Sequence, residues 1–176
     1  MTIDELLPLI ERNQPPASED RILRFEAEIS ASLPEDYRRF LAACNGGYLA
    51  GQLWFTRPGL IGRHAHVGLN HIGGFRDESH FSLESARAGY QSPDEMRIPR
   101  ELVWIMDDPF GNAFCLGLSG PSRGRIFFWD HEEEPDPDEW DGSMETAENL
   151  LFLADSFTAF VAGLIPLAEV PEATVT

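Results

Sequence analysis

The stretch SLPEDYRRFLAACNGG, from Ser32 to Gly47, carries the signals for both ends of one helix. Pro34 suits a first helical position, and Glu35 and Asp36 complement the positive end of the helix dipole. Tyr37, Phe40, Leu41 and Cys44 recur at i, i+3, i+4 and i+7, so one face is apolar. Asn45, Gly46 and Gly47 then stop the helix, because asparagine and glycine tolerate the left-handed conformation of a C-terminal cap.

Upstream, Ser18 reads as the N-cap of an earlier helix, with Asp20 in its first turn and Ile22, Phe25 and Ile29 on one stripe. The segment before it opens with a capping pattern, Thr2 and Glu5, and meets Pro8, which kinks any helix running through it. Downstream the periodicity changes. YLAGQLWF (48–55) and HVGLNHIGGF (66–75) are apolar runs broken by glycine, and a short helix is expected over Ser82–Gln91, where Leu83, Ala86 and Tyr90 share a face. From Glu101 onward the chain reads as a three-strand meander, its turns marked by DDPFGN (107–112) and SGPSRG (119–124). In the first of these turns Gly111 or Asn112 takes the positive φ, and its role is architectural. A closing helix is expected in LADSFTAFVAGL, capped by Asp155 or Ser156, with Phe157, Phe160, Val161 and Leu164 inward. Helices, then strands, then a helix give an α+β fold.

The 176 residues suit one domain, which buries roughly 70% of its unfolded surface. Hydrophobic content of 43%, with 12 Phe and 4 Trp, supplies the core. The formal net charge of −17 disfavours direct nucleic-acid binding and anionic membranes, since both need cations on the protein. It favours a cationic partner, or solubility alone. All thirteen basic residues are arginine, so no lysine exists to act as a Schiff base. Cys44 and Cys115 lack the number and spacing of a disulfide framework or a metal site and read as small buried hydrophobes. The acidic N-terminus lacks signal-peptide character and no apolar run is long enough to span a bilayer, so a cytoplasmic location is expected.

The charge is concentrated. DHEEEPDPDEWD, Asp130 to Asp141, places eight acids in twelve positions, and neither Arg nor Lys follows Arg125. Two prolines and like charge indicate a loop, taken as 130–145. It admits two readings. Glu132, Glu133, Glu134, Asp136, Asp138, Glu139 and Asp141 form a partner-binding patch with Trp140 as its anchor, or they form a solvated loop with Trp140 tucked back on the sheet. As the patch, the loop would steer and rim a contact, since acids are depleted at interface cores. A calcium loop fails by position: counting from Asp136, Trp140 falls at 5 and Ala147 at 12. His64 and His66 with His71 or His80 offer nitrogen ligands but no supporting Cys or Glu, so no metal is expected. Paired carboxylates always occur among thirty acids, and nothing marks a pair as catalytic. Gly46-Gly47 and Gly73-Gly74 lack the context and lysine of a phosphate loop and are turn or cap glycines.

In order along the chain, the helix containing Glu26, LPEDYRRFLAACNGG (33–47), DDPFGNAFCLGL (107–118), GRIFFWDHE (124–132) and LADSFTAF (153–160) resemble the SUKH superfamily. That superfamily includes Smi/Knr-type fungal cell-wall regulators and bacterial toxin-immunity proteins. The pieces span about four-fifths of the chain. A departure is Ser30-Ala31-Ser32, where relatives often carry glycine after the second helix. The resemblance implies a twisted, mostly antiparallel sheet with N-terminal helices and a C-terminal helix packed on it, over 18–166. A helical extension, 1–17, would precede it and a tail, 167–176, follow it. It also implies no enzymatic activity and no cofactor. The implied role is cytosolic immunity within a polymorphic toxin system: occlusion of a basic, nucleic-acid-targeting toxin domain. The alternative is a non-enzymatic scaffold of the Smi/Knr type. A hydrolase using paired acids is the remaining class.

Overall fold

The computed structural model describes residues 1–11, 14–57, 65–76, 82–92, 96–136 and 139–170, with residues 50–52 as backbone only. Seven strands form one antiparallel sheet in the order β6-β5-β4-β3-β2-β1-β7. They are β1 (Gly47–Thr56), β2 (His66–Ile72), β3 (Leu102–Asp107), β4 (Ala113–Gly117), β5 (Ile126–Trp129), β6 (Leu150–Ala154) and β7 (Leu164–Pro166). The helices are α1 (Ile3–Leu6), α2 (Glu19–Glu28), α3 (Glu35–Ala43), α4 (Leu83–Tyr90) and α5 (Phe157–Ala162). The α+β class and the antiparallel sheet with helices at both ends of the chain are as expected.

The caps follow local chemistry. Thr2 and Glu5 close the expected capping box on α1, and Pro8 lies in the 3₁₀ turn after it. Ser18 accepts the Arg21 N–H at the start of α2, Ser82 and Ser85 cap α4 reciprocally, and Ser156 accepts the Ala159 N–H at α5. Pro34 sits one position earlier than expected: it is the N-cap of α3, in extended conformation. Ser30, with φ 53°, is the one non-glycine residue in the left-handed region among those described. The geometry is thus adopted here by a residue other than glycine, which takes it most cheaply.

Tyr37, Phe40, Leu41 and Cys44 are all buried, as the i, i+3, i+4, i+7 pattern requires. Tyr37 meets Phe157 edge-on at 5.1 Å, and Phe40 meets the same ring at 5.0 Å, so α3 and α5 share one aromatic cluster. Asp36 adds a polar tie: its Oδ2 accepts from the Thr158 N–H (2.9 Å) and hydroxyl (3.0 Å). Phe114 extends the cluster onto the sheet, 5.4 Å from Phe128 and 5.6 Å from Phe160. Glu26, buried in α2, accepts from the Leu33 N–H (2.7 Å) and from Arg38, which also reaches Glu19. Leu6 and Ile10 lie in the same core, so the N-terminal segment is packed into the domain.

Three boundaries differ from the sequence expectation. The helix after Asp155 ends at Ala162, and Leu164 opens β7 with its side chain still buried. Residues 150–154 form the edge strand β6, where no strand was expected. The α3 helix leaves through Cys44 in extended conformation, and the left-handed residue is Gly46, φ +74°. A Cβ on Gly46 would sit 2.4 Å from the Ile72 carbonyl, so this glycine is required by close approach to β2.

Candidate functional site

The strand registers align Tyr48, His71, Asp107, Ala113, Trp129 and Leu150 in one row across the sheet. The β3–β4 turn and the acidic segment after β5 both leave the sheet beyond this row, so they meet at one end of it. Adjacent residues on a strand point to opposite faces. Phe128 therefore meets the Phe114 ring of the α5-side cluster, while Trp129 faces the other way and lies 5.6 Å from Trp140.

The base of the acidic segment is tightly bonded. Asp130 is buried: its N–H donates to the Asn149 carbonyl (3.1 Å), and its own carbonyl accepts from Asn149 Nδ2 (2.8 Å). Its Oδ1 accepts the Glu132 N–H and caps a 3₁₀ turn over His131–Glu133, so the segment begins with regular structure where none was expected. Glu134 turns inward. Arg97 donates to it through Nε (3.0 Å) and Nη2 (2.9 Å), and the Trp129 indole donates to its Oε1 (2.8 Å). Trp140 is half-buried against Trp129, and its indole N–H donates to Thr146 Oγ1 (3.0 Å). That hydroxyl donates in turn to Asp141 Oδ1 (2.8 Å). The Ser143 N–H and then the Thr146 hydroxyl hold the Asp141 carboxyl below the usual aspartate range.

The exposed carboxylates are Glu132, Glu133, Asp136, Glu139 and Asp141; Asp138 lies outside the described residues. The sequence thus brought together one group with two fates: an outward acidic rim, and Glu134 with Trp140 built into the scaffold. The inward set could not be separated from the outward set by pattern, because its donors, Arg97 and Trp129, lie 37 and 5 residues away from Glu134.

The β3–β4 turn abuts the rim. Gly111 takes the positive φ, +94°, and Asp108 Oδ1 accepts the N–H groups of Phe110 and Asn112, both at 2.8 Å. Asn112 Nδ2 donates to Asp108 Oδ2 (2.7 Å), and Asn112 Oδ1 accepts the His131 N–H (3.1 Å) and lies 2.8 Å from His131 Nδ1. The side chain of Phe110 is left in solvent.

Of the four histidines considered for zinc, His64 and His80 lie outside the described residues. His66 Nδ1 lies 2.9 Å from the Thr56 hydroxyl, and His71 is buried. Among the described residues no three His, Cys, Asp or Glu side chains are grouped to hold a metal ion. Cys44 and Cys115 are buried and not joined in a disulfide.

His71 and Asp107 are the strongly perturbed pair. Burial, and then Arg76, pushes His71 down to about 4. Burial raises Asp107 to about 6, against hydrogen bonds from Asn70 Nδ2 and the His71 N–H and with help from Asp108. His71 Nδ1 and Asp107 Oδ2 are 3.8 Å apart, beyond hydrogen-bond length, and at neutral pH His71 is uncharged. The two oppose each other in stability. His71's contribution is complete above pH 6.5 and is lost as pH falls toward 4; Asp107's is present below 3.8 and is lost as pH rises through 6. Asp107→Asn is therefore expected to expose the histidine alone. Acidifying that variant from pH 6.5 to 5 should cost on the order of 1–2 kcal/mol more than in the wild type, read from urea midpoints. Parallel pH profiles would contradict the assignment.

No helix among the described residues is long and apolar enough to cross a membrane. A relative in Bacillus subtilis (strain 168), the SPbeta prophage-derived uncharacterized protein YokK, is 27% identical over 161 residues, covering 83% of this chain and 73% of its own. Residues 16–163, from the approach to α2 through α5, match the model of one family, and helices α2 to α5 with strands β1 to β6 lie within that span. The chain belongs to the SMI1 / KNR4 family (SUKH-1).

Proposed function

We propose that this protein is a cytoplasmic, bacterial immunity protein that neutralises a basic toxin domain by covering it, without turning over a substrate. The observation that carries this reading is the outward acidic rim at one end of the sheet, formed by Glu132, Glu133, Asp136, Glu139 and Asp141 on a chain of net charge −17. A domain that acts on nucleic acid holds phosphates with arginine and lysine. Carboxylates presented to those same cations block them and speed the encounter. Membership of the SUKH-1 family supports a binding role, and the prophage origin in the name of the Bacillus relative is consistent with competition between genetic elements.

The experiment is deletion in cells that carry a toxin gene beside this one. Growth should arrest and recover on re-expression; undiminished growth would reject the role. With the purified toxin domain, changing Glu132, Glu133, Asp136 and Glu139 to neutral amides should slow association about tenfold at low salt and flatten its salt dependence. The melting temperature should hardly move, because these side chains are exposed. An unchanged association rate would leave the rim as solvated surface only.

A further inference from the structure

We infer that Phe110 is the apolar anchor of this contact surface, seated in a shallow apolar pocket of the partner that is rimmed by arginine or lysine. The inference deepens the proposed function and rests on it.

Phe110 is 70% exposed, the most of any large apolar residue described. A lone exposed hydrophobe is ordinary on a protein surface. Two features set this one apart. Its backbone is tied down: Asp108 accepts its N–H, Asn112 closes the turn onto Asp108, and His131 docks onto Asn112. It is also placed beside charge, since the Asn112–His131 bonds fix the turn directly against the 3₁₀ turn that carries Glu132 and Glu133. A ring carried on a fixed backbone has only its own two side-chain torsions to lose on binding, and a polar rim around such a ring matches the anatomy of an interface hot spot.

The rim decides the occupant. Its carboxylates would repel phosphates, whether of nucleic acid or of a membrane, and they would repel a second copy of this chain, which also carries −17. A cationic protein surface is what the arrangement fits. Trp140, the anchor suggested by sequence, is already engaged with Trp129 and Thr146.

The test uses the purified full chain and the toxin domain encoded beside it. Phe110→Ala should raise the dissociation rate tenfold or more while leaving the association rate within about twofold. Glu132→Gln with Glu133→Gln should do the converse, and Phe110→Trp should retain slow dissociation. Melting temperatures report folding and should match the wild type for Phe110→Ala. If the wild type binds and protects but Phe110→Ala dissociates at the same rate, the anchor is refuted and the function stands. If the wild type neither binds the toxin domain nor protects, both are refuted.

Discussion

Asn45→Ala should lower the unfolding free energy by about 3 kcal/mol, although Asn45 touches no part of the acidic rim. Its Oδ1 accepts the Phe75 N–H at 2.7 Å and its Nδ2 donates to the Phe75 carbonyl at 2.9 Å, so one side chain completes the backbone hydrogen bonding of a residue 30 positions away. All of these groups are buried, and water cannot replace the amide. Truncation leaves a donor and an acceptor unpaired, each worth about 1–3 kcal/mol. The packing around them leaves little room to adjust: a Cβ on Gly74 would stand 2.0 Å from the Asn45 carbonyl, and Phe75 meets Phe25 of α2 edge-on at 5.5 Å. Asn45→Asp separates hydrogen bonding from shape. It keeps the acceptor but sets a carboxylate oxygen against the Phe75 carbonyl. That variant should be at least as unstable at pH 7 and should recover part of the loss in acid, where a protonated carboxyl can donate. Urea unfolding with unchanged m values measures both. A loss below about 1 kcal/mol for Asn45→Ala would mean that the amide is not the tie between the end of α3 and the end of β2.

This residue also marks where sequence reading stops. Asn45-Gly46-Gly47 read correctly as the end of a helix, since the local signal for a stop is strong. Its second use, clamping Phe75, depends on a partner that only the folded sheet brings near. The same division holds elsewhere. Thr2 with Glu5, Ser18, Ser156 and the buried stripe of α3 were legible because capping and helical periodicity act within a few residues. Strands β6 and β7 were not. LLFLA and LIP flank a genuine helix, and short apolar runs beside a helix carry no period that separates them from it. At the site, the concentration of acids was legible and its sorting was not. Phe110 was read as part of a turn, because its exposure is a property of the fold and not of the local pattern.

The sorting follows a physical rule. Carboxylates with several donors converging on them are drawn into the structure: Glu26 with Leu33 and Arg38, Asp36 with Thr158, Asp108 with its own turn, Glu134 with Arg97 and Trp129. Those on the outer surface of the segment are exposed, Asp141 included although Ser143 and Thr146 donate to it, and their like charge acts at a distance. Charge on the rim therefore serves approach, and charge beneath it holds the rim in place.

Glu134 tests that distinction, since Glu134→Ala should destabilise the fold by about 2 kcal/mol while removing only one of many negative charges. The Trp129 ring is fully buried, and its indole N–H would lose its acceptor, at about 1–3 kcal/mol. Arg97 contributes less, because a third of its side chain is already in solvent and would be rehydrated. Glu134→Gln retains an oxygen for Trp129 and should cost about 1 kcal/mol, and Arg97→Ala a similar amount. The two should couple by about 1 kcal/mol in a double-mutant cycle, because they share a bidentate pair. Trp129 emission should shift in the alanine variant and not in the glutamine one. Against a basic partner, Glu134→Ala should change the low-salt association rate far less than the amides at Glu132 and Glu133. If Glu134→Ala left stability and Trp129 emission intact yet slowed association as strongly as the rim variants, the inward and outward carboxylates would be one electrostatic surface, and the division between them would have to be abandoned.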